Sequence, residues 1–366
     1  MTREGRTKQL PFVVRRRGQP RFPEPADHAT LTDGRVARLE RVACCLCGNA
    51  AATRLIAVRD WGYGLTRDTF LIERCPRCGL AYLNPRPVRE DMGMFYPTRY
   101  YERRQDIGVL APPVRRMSDD ALAEQEALCK EAGPAGGPRR VLDVGCASGM
   151  FLARMKKQGW SVQGVEVSAE AAEWGVRELE VDIINRPLTE SGLPPEQFDV
   201  VTFWSALEHV HDPMSYLAEA RRLLKPEGSV VILIPNFSSP TVRYLHWGLD
   251  PPRHLYHFTP DSLRRALRAA GFDGPIDVRS RTRIEEGSFH RQVAKIGRRL
   301  VRYFRAGENP DRAALPGVWA GWVLVKLSWM LAPVSWTLTA AGLNGPMIVI
   351  AHKSPPAGAT TAGSRK

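Results

Sequence analysis

Residues 141–151 have the sequence Val-Leu-Asp-Val-Gly-Cys-Ala-Ser-Gly-Met-Phe, which predicts a buried strand, a glycine turn and the start of a helix. Only small side chains lie between Gly145 and Gly149, and the helical spacing of apolar residues continues as far as Gly159. A turn without Cβ atoms lets a ligand approach the backbone closely, and a helix N-terminus attracts a carboxylate or phosphate. The stretch therefore predicts an α/β fold with a ligand at this turn.

An acidic residue follows at the position that a nucleoside ligand requires. Residues 161–168 form the next predicted strand, and Glu166 lies near its C-terminal end, about 20 residues after Gly145. Nucleotide-binding α/β folds place a carboxylate there to accept hydrogen bonds from the ribose hydroxyls. A glycine turn alone would also suit any tight connection from a strand to a helix. The turn and the carboxylate together indicate a nucleoside ligand.

The segment 143–149, followed by Glu166, resembles motif I and the acidic loop of class I S-adenosylmethionine-dependent methyltransferases. Ala147 stands where the common pattern has a third glycine. The resemblance implies an α/β fold with a seven-stranded, doubly wound, Rossmann-like sheet whose last strand is antiparallel. It also implies S-adenosylmethionine as cofactor, with its methionine end over the glycine turn and its ribose on the acidic residue. The implied cofactor contacts are Asp143, Gly145, Cys146, Ala147, Gly149, Glu166, Val167, Leu188, Trp204, Ser205 and Leu207.

The fourth predicted strand and its continuation, FDVVTFWSALEHVHDP at 198–213, are similar to motif IV of the same family. The similarity implies that residues 204–207 lie beside the sulfonium and that Glu208 and His209 begin the next helix. The family's adenine contacts usually follow the third strand, here at 185–188.

A histidine lies in the loop that follows the fifth predicted strand, 229–235. His254 would be at the carboxyl end of the sheet, where such folds bind their substrates. It resembles a histidine that acts as the base in zinc-ribbon deoxysugar C-methyltransferases. In those enzymes a Tyr-x-Glu segment precedes the histidine, whereas here residues 251–253 are Pro-Pro-Arg. The candidate catalytic residues are therefore His254, His209 and Glu208, and a structural, hydrogen-bonded histidine is the alternative at both histidine positions.

Two Cys-x-x-Cys-Gly segments predict a metal site near the N-terminus. They supply Cys44, Cys47, Cys75 and Cys78, a ligand set suited to one structural, tetrahedral Zn²⁺. The alternative is two unrelated turns with free thiols. The exit from the second segment, residues 79–87, resembles the zinc ribbon that precedes the catalytic domain in a subset of these methyltransferases.

Composition and charge restrict the partners and the compartment. The chain has 366 residues, 43% apolar and 25% charged, which are globular values, and a net charge of +13. Basic residues are concentrated in 1–42 and 279–312, which favours an acidic partner: anionic lipid, a phosphorylated carrier or nucleic acid. For the N-terminal patch, a solvated basic surface is the alternative. No secretory signal is visible, so we expect a cytoplasmic protein with reduced cysteines.

The segment between the sixth and seventh predicted strands is a helical insertion. Residues 289–304 have a narrow apolar stripe on an otherwise basic helix, and 315–338 are apolar with four tryptophans. This pattern predicts peripheral attachment to the cytoplasmic face of an anionic membrane, because Pro316 and Pro333 oppose a full span. A lid or a dimer interface is the alternative.

The predicted organisation has five parts. They are a disordered basic N-terminus (1–40), a zinc ribbon (41–90), a linker with a helix covering the sheet edge (91–138), a methyltransferase domain (139–353) with its insertion (283–345), and a disordered tail (354–366).

The sequence as a whole predicts methyl transfer from S-adenosylmethionine to an oxygen or carbon nucleophile of a small molecule, sugar or lipid-linked acceptor. A histidine base would remove the acceptor's proton. One alternative is a nucleic-acid methyltransferase that uses the zinc ribbon and basic patches. The other is a non-catalytic binding module that retains the fold.

Overall fold

The computed structural model describes residues 22–279, apart from 25, 61, 98–99, 101–111 and 246–247, together with 345–354 and parts of 322–337. The predicted helix at 289–304 and most of the C-terminal tail lie outside the described residues.

The N-terminal region forms two small antiparallel sheets. Their six strands are β1 His28–Thr30, β2 Val36–Glu40, β3 Thr53–Arg59, β4 Thr69–Arg74, β5 Ala81–Leu83 and β6 Arg86–Pro87. One sheet has the order β1-β2-β6, and three strands of the other have the order β5-β4-β3. We expected residues 1–40 to be disordered, and this is wrong for β1 and β2, because Ala29 and Ala37 are fully buried in the core.

The C-terminal region contains the predicted seven-stranded sheet. Its further strands are β7 Arg140–Val144, β8 Ser161–Val165, β9 Ile183–Ile184, β10 Phe198–Trp204, β11 Leu224–Pro235, β13 Ile276–Arg279 and β14 Pro346–His352. The order is β13-β14-β11-β10-β7-β8-β9, and β14 is antiparallel to both of its neighbours. The predicted seven-stranded sheet with an antiparallel last strand is thus confirmed.

Helices cover both faces of this sheet. They are α1 Pro112–Ala132, α2 Met150–Lys157, α3 Ala169–Leu179, α4 Pro213–Leu223, α5 Pro240–Leu245 and α6 Pro260–Ala269. Side chains alternate along each buried strand, so Val201 and Phe203 join one core while Val200 and Trp204 join the other. The expectation that α1 covers the sheet edge is wrong, since its Cys129 packs with residues of the central strands β7, β10 and β11.

A short strand connects the two regions. β12, Tyr256–His257, comes after the fifth strand of the large sheet but pairs with β5 of the N-terminal sheet, Tyr256 opposite Tyr82. The segment that carries His254 is therefore fixed to the N-terminal region by backbone hydrogen bonds as well as to the large sheet.

Candidate active site

The glycine turn has the backbone conformation that its sequence requires. Gly145, Ala147 and Gly149 have φ values of 71°, 50° and 75°, all in the left-handed region. The left-handed φ of Ala147 explains why the common pattern has glycine at this position. A Cβ on Gly145 would lie 2.9 Å from the Cβ of Ala206, so this glycine also lets the segment after β10 pack against the turn.

Glu166 joins the turn to the acidic loop. One carboxylate oxygen, Oε2, accepts a hydrogen bond of 2.8 Å from the backbone N–H of Ala147, and Oε1 accepts one of 2.9 Å from that of Ser168. A carboxylate can accept about four hydrogen bonds, so two acceptor positions remain for ribose hydroxyls. The neighbouring Val167 is 63% exposed and is available to a ligand.

The other predicted cofactor contacts differ in their accessibility. Asp143 is buried and accepts a hydrogen bond of 2.7 Å from the Thr202 hydroxyl, so its carboxylate helps to fix the turn. Burial raises the pKa of the Cys146 thiol, which is therefore neutral. Leu188 and Leu207 are fully buried, and in this structure neither side chain offers surface to a ligand.

The segment after β10 begins with a strained residue. Ser205 has a φ of 54°, which turns the chain back toward the glycine turn. Glu208 and His209 follow in a turn, and not in a helix as the family pattern implied, because α4 begins only at Pro213. The backbone carbonyl of Glu208 accepts a hydrogen bond of 2.8 Å from the N–H of Leu255, so the two segments carrying the predicted catalytic residues are in contact.

The three predicted catalytic residues lie together. The His254 Nε2 atom is 4.0 Å from a carboxylate oxygen of Glu208, and the ring centroids of His209 and His254 are 4.5 Å apart with an interplanar angle of 89°. Glu208 and His254 are both buried. Burial lowers the pKa of His254, so this imidazole is neutral at pH 7 and can accept a proton.

Residues from the N-terminal region complete the cluster. The hydroxyl of Tyr96 is 2.9 Å from Nδ1 of His209, which is also 3.1 Å from the backbone carbonyl of Arg253. The contact between Tyr96 and His209 joins residues 113 positions apart, so no local sequence pattern predicts it.

Arg253 fixes the loop that carries His254. This arginine is fully buried and bonds to Asp60 at 2.8 Å, to Asp250 at 2.7 and 2.9 Å and to the Phe95 carbonyl at 3.1 Å. Its guanidinium also lies over the ring of Tyr63. Although burial opposes ionisation, the bonds from Arg253 lower the pKa of Asp250 to about 2, so the ion pair is charged at neutral pH. No pattern in the sequence predicts a role for Asp60. Arg253 differs from the Tyr-x-Glu pattern, but the sequence does not predict its ion pairs.

The four predicted zinc ligands converge. Their sulfur atoms lie within 4.8 Å of one another, with Cys44 and Cys78 3.4 Å apart and Cys47 and Cys75 3.5 Å apart. Tetrahedral zinc with bonds of 2.3 Å would separate its sulfurs by roughly 3.8 Å, so the residues fit the ion. Burial raises the pKa of Cys75, but the backbone N–H of Cys78, the Cys47 thiol and further hydrogen bonds outweigh it and lower the pKa to about 6. The thiolate of Cys75 is thus favoured at neutral pH, whereas burial raises the pKa of Cys44 and of Cys78.

The described part of the insertion exposes apolar side chains. Trp322 is 45% exposed, Leu327 47% and Met330 72%. Among the described residues, no helix is both long enough and apolar enough to cross a bilayer.

Comparison with known proteins identifies the class of domain. Residues 103–274 match the family described as "Methyltransferase domain". Ubiquinone biosynthesis O-methyltransferases from Pseudomonas entomophila (strain L48) and Alkalilimnicola ehrlichii are 41% and 38% identical over 98 and 104 residues. Each match covers 42% of the relative, and 25% and 27% of this chain respectively, so the chain spans less than half the length of the curated relatives it matches.

Solved structures with a similar arrangement include a phosphoethanolamine N-methyltransferase 2 from Haemonchus contortus. It is 16% identical, with a TM-score of 0.46, and the match covers 82% of this chain and 71% of that one. The sequence match and the fold with its glycine turn and acidic loop define a methyltransferase domain. The domain matched at residues 103–274 is a class I S-adenosylmethionine-dependent methyltransferase domain.

Proposed function

We propose that this protein transfers a methyl group from S-adenosylmethionine to a hydroxyl oxygen of a small-molecule acceptor. The observation that carries the proposal is the cluster of Glu208, His209 and His254 at the carboxyl end of the large sheet, next to the glycine turn. An oxygen acceptor is favoured over carbon because the curated relatives are O-methyltransferases and the Tyr-x-Glu segment of the C-methyltransferases is replaced by Pro-Pro-Arg.

His254 is the proposed base in this reaction. Its Nδ1 atom lies 2.6 Å from the Gly248 carbonyl, which can only accept, so Nδ1 carries the proton and Nε2 has the free electron pair. Nε2 takes the proton of the acceptor hydroxyl, and the oxygen attacks the methyl carbon of the cofactor. The carbon–sulfur bond breaks, its electron pair stays on sulfur, and S-adenosylhomocysteine leaves. Most of the acceleration comes from holding the oxygen in line with the methyl carbon.

A tritiated-methyl transfer assay on small-molecule and membrane-lipid extracts tests this function. His254→Ala should lose roughly 10²- to 10⁴-fold in turnover with unchanged affinity for S-adenosylhomocysteine. His211→Asn is the matched control, since His211 lies nearby but is bonded to the Pro87 carbonyl. Label in RNA instead of small molecules would favour a nucleic-acid methyltransferase, and absence of transfer with normal cofactor binding would favour a binding module.

We also propose that Cys44, Cys47, Cys75 and Cys78 hold one structural zinc ion. The support is the convergence of their sulfurs at nearly the separation that tetrahedral zinc requires. The ribbon supplies β5, against which β12 pairs next to His254. Zinc binding would therefore stabilise the catalytic loop through this strand pair.

The acceptor is proposed to be lipid-linked and reached by peripheral binding to an anionic membrane. Trp322, Leu327 and Met330 are apolar and exposed, and the sequence at 289–305 is strongly basic. Tryptophan suits the interfacial zone of a bilayer, and each basic residue near anionic lipid contributes about 1 kcal/mol.

Liposome flotation tests the membrane proposal. Binding should require anionic lipid, weaken in high salt and fall sharply in the triple variant Arg298→Glu/Arg299→Glu/Arg302→Glu. The control variant makes the same charge change at three exposed positions on α2 and α3, Lys156, Lys157 and Arg177. Equal loss in both variants, or no binding at low salt, would assign the insertion to a lid or a dimer surface.

A further inference from the structure

The cluster of Glu208, His209 and His254 has the composition of a metal site. Each residue offers one ligand atom, and the three atoms lie within 4.8 Å of one another. Two imidazoles and one carboxylate form the ligand set of catalytic zinc in several hydrolases and of non-haem iron in oxygenases. In both cases three protein ligands leave positions open for a substrate oxygen.

Both imidazoles are oriented by groups outside the cluster. Nδ1 of His254 donates to the Gly248 carbonyl at 2.6 Å, and Nδ1 of His209 lies 2.9 Å from the Tyr96 hydroxyl and 3.1 Å from the Arg253 carbonyl. Carbonyl oxygens only accept hydrogen bonds, so these contacts favour the tautomer that leaves a lone pair on each Nε2. Metal-binding histidines are fixed in this way, with the second ring nitrogen bonded to a carbonyl or carboxylate.

We propose that Glu208, His209 and His254 bind one divalent transition-metal cation, such as Mn²⁺, Fe²⁺ or Zn²⁺, which takes the acceptor's hydroxyl oxygen in an open position. The cation site stands on the cluster itself, whereas its role with the acceptor rests on the proposed function.

The required movement is small. Metal–ligand bonds of about 2.1 Å place neighbouring ligand atoms roughly 3 Å apart, whereas His254 Nε2 and the Glu208 carboxylate are now 4.0 Å apart. The two segments are already joined by the hydrogen bond from Leu255 to the Glu208 carbonyl. Cation binding would therefore bring this nitrogen and this oxygen about 1 Å closer together.

A bound cation changes how the acceptor is activated. Coordination would lower the pKa of the hydroxyl, and its proton would pass to water, so His254 acts as the base only in the cation-free protein. The oxygen then forms the bond to the methyl carbon, and the pair of the carbon–sulfur bond remains on sulfur as before.

Manganese binding to the full-length protein tests the site without any acceptor. Mn²⁺ prefers oxygen and nitrogen ligands, so with zinc already supplied to the protein it does not compete for the cysteines. Electron paramagnetic resonance should detect one bound Mn²⁺ per chain in the parent protein. Glu208→Gln and His254→Ala should each weaken binding at least tenfold, and His211→Asn should not. Zinc content and thermal melting of each variant establish that it is folded.

Two results would overturn the inference. One is no Mn²⁺ binding tighter than about 1 mM by the folded parent protein. The other is equal binding by the parent, Glu208→Gln and His254→Ala. Failure of the cation site is distinguishable from failure of the proposed function. If only the cation site is wrong, methyl transfer continues in cation-free buffer with His254 as base. If only the proposed function is wrong, Mn²⁺ binds but no acceptor is methylated.

Discussion

The buried ion pair between Asp60 and Arg253 should contribute strongly to stability. Both side chains are 0% exposed and the charged atoms are 2.8 Å apart. Asp60 also accepts hydrogen bonds from the backbone N–H groups of Tyr63 and Leu65. Asp60→Ala would therefore leave an arginine short of one partner and two N–H groups without their acceptor.

The expected cost of Asp60→Ala follows from these contacts. Breaking a buried ion pair costs about 3–5 kcal/mol, and the lower end applies because Asp250 continues to neutralise Arg253. Each lost backbone hydrogen bond adds about 1 kcal/mol. Allowing for water that enters the space, we expect a loss of about 4 kcal/mol. At a urea dependence of about 2 kcal/mol per M, the unfolding midpoint should fall by about 2 M.

Urea unfolding followed by tryptophan fluorescence measures this effect. Asp33→Ala is the control, since Asp33 pairs with Arg35 on the surface at 52–55% exposure and should shift the midpoint by no more than the error. The double variant Asp60→Ala/Arg253→Met should be more stable than the sum of its single variants implies, because the interaction between Asp60 and Arg253 is lost only once. Equal midpoint shifts for Asp60→Ala and Asp33→Ala would refute the reasoning.

Three further predictions concern the cofactor, the metal and pH. Calorimetry should give micromolar-range binding of S-adenosylhomocysteine, which Glu166→Ala should weaken more than tenfold and Gly145→Val should abolish. Glu170→Ala is the control and should leave the affinity unchanged, because this side chain lies in the exposed first turn of α3. Normal binding by the first two variants would contradict the assignment of the cofactor site. Elemental analysis should find one zinc ion per chain. Cys75→Ser should lower both the zinc content and the melting temperature, because structural zinc stabilises the fold. Full zinc occupancy in this variant would contradict the ligand set. Burial lowers the pKa of His257 to about 3, whereas the pKa of this histidine in the unfolded chain is about 6.5. At pH values between about 3 and 6.5, the unfolded state therefore binds one proton more than the folded state. Stability should therefore be complete above about pH 6.5 and fall on acidification by up to about 1.4 kcal/mol per pH unit. His257→Phe should flatten this slope in melts between pH 7.5 and 5, and an unchanged slope would assign the acid sensitivity to other groups.

Local patterns in the sequence were sufficient to predict the glycine turn and the helix that follows it. The spacing from residue 141 predicted β7, the turn and α2, and φ of 78° at Gly159 matches its predicted place after the helix. The fourth strand was predicted with its observed bounds, Phe198–Trp204. These features depend on residues a few positions apart, where steric preference and side-chain periodicity act directly.

Other features were predicted in kind but not in position. Glu208 and His209 were expected at the start of a helix, and the structure places them in a turn beside His254. Leu188 was expected to contact the cofactor, and the structure instead buries it in the core. Family spacing gives the order of residues along the chain, whereas exposure depends on which neighbours pack above each of them.

The sequence alone determined the sheet, the glycine turn and the four-cysteine cluster, because each is encoded by residues of fixed type at short spacing. Only the tertiary structure decided how the N-terminal region meets the catalytic loop. Arg253 and Asp60 are 193 positions apart, and Arg86 and Tyr256 are 170 apart, so no local preference records either contact. A buried arginine needs a carboxylate partner to offset the cost of removing its charge from water. The packing of the whole chain determines which carboxylate lies next to it.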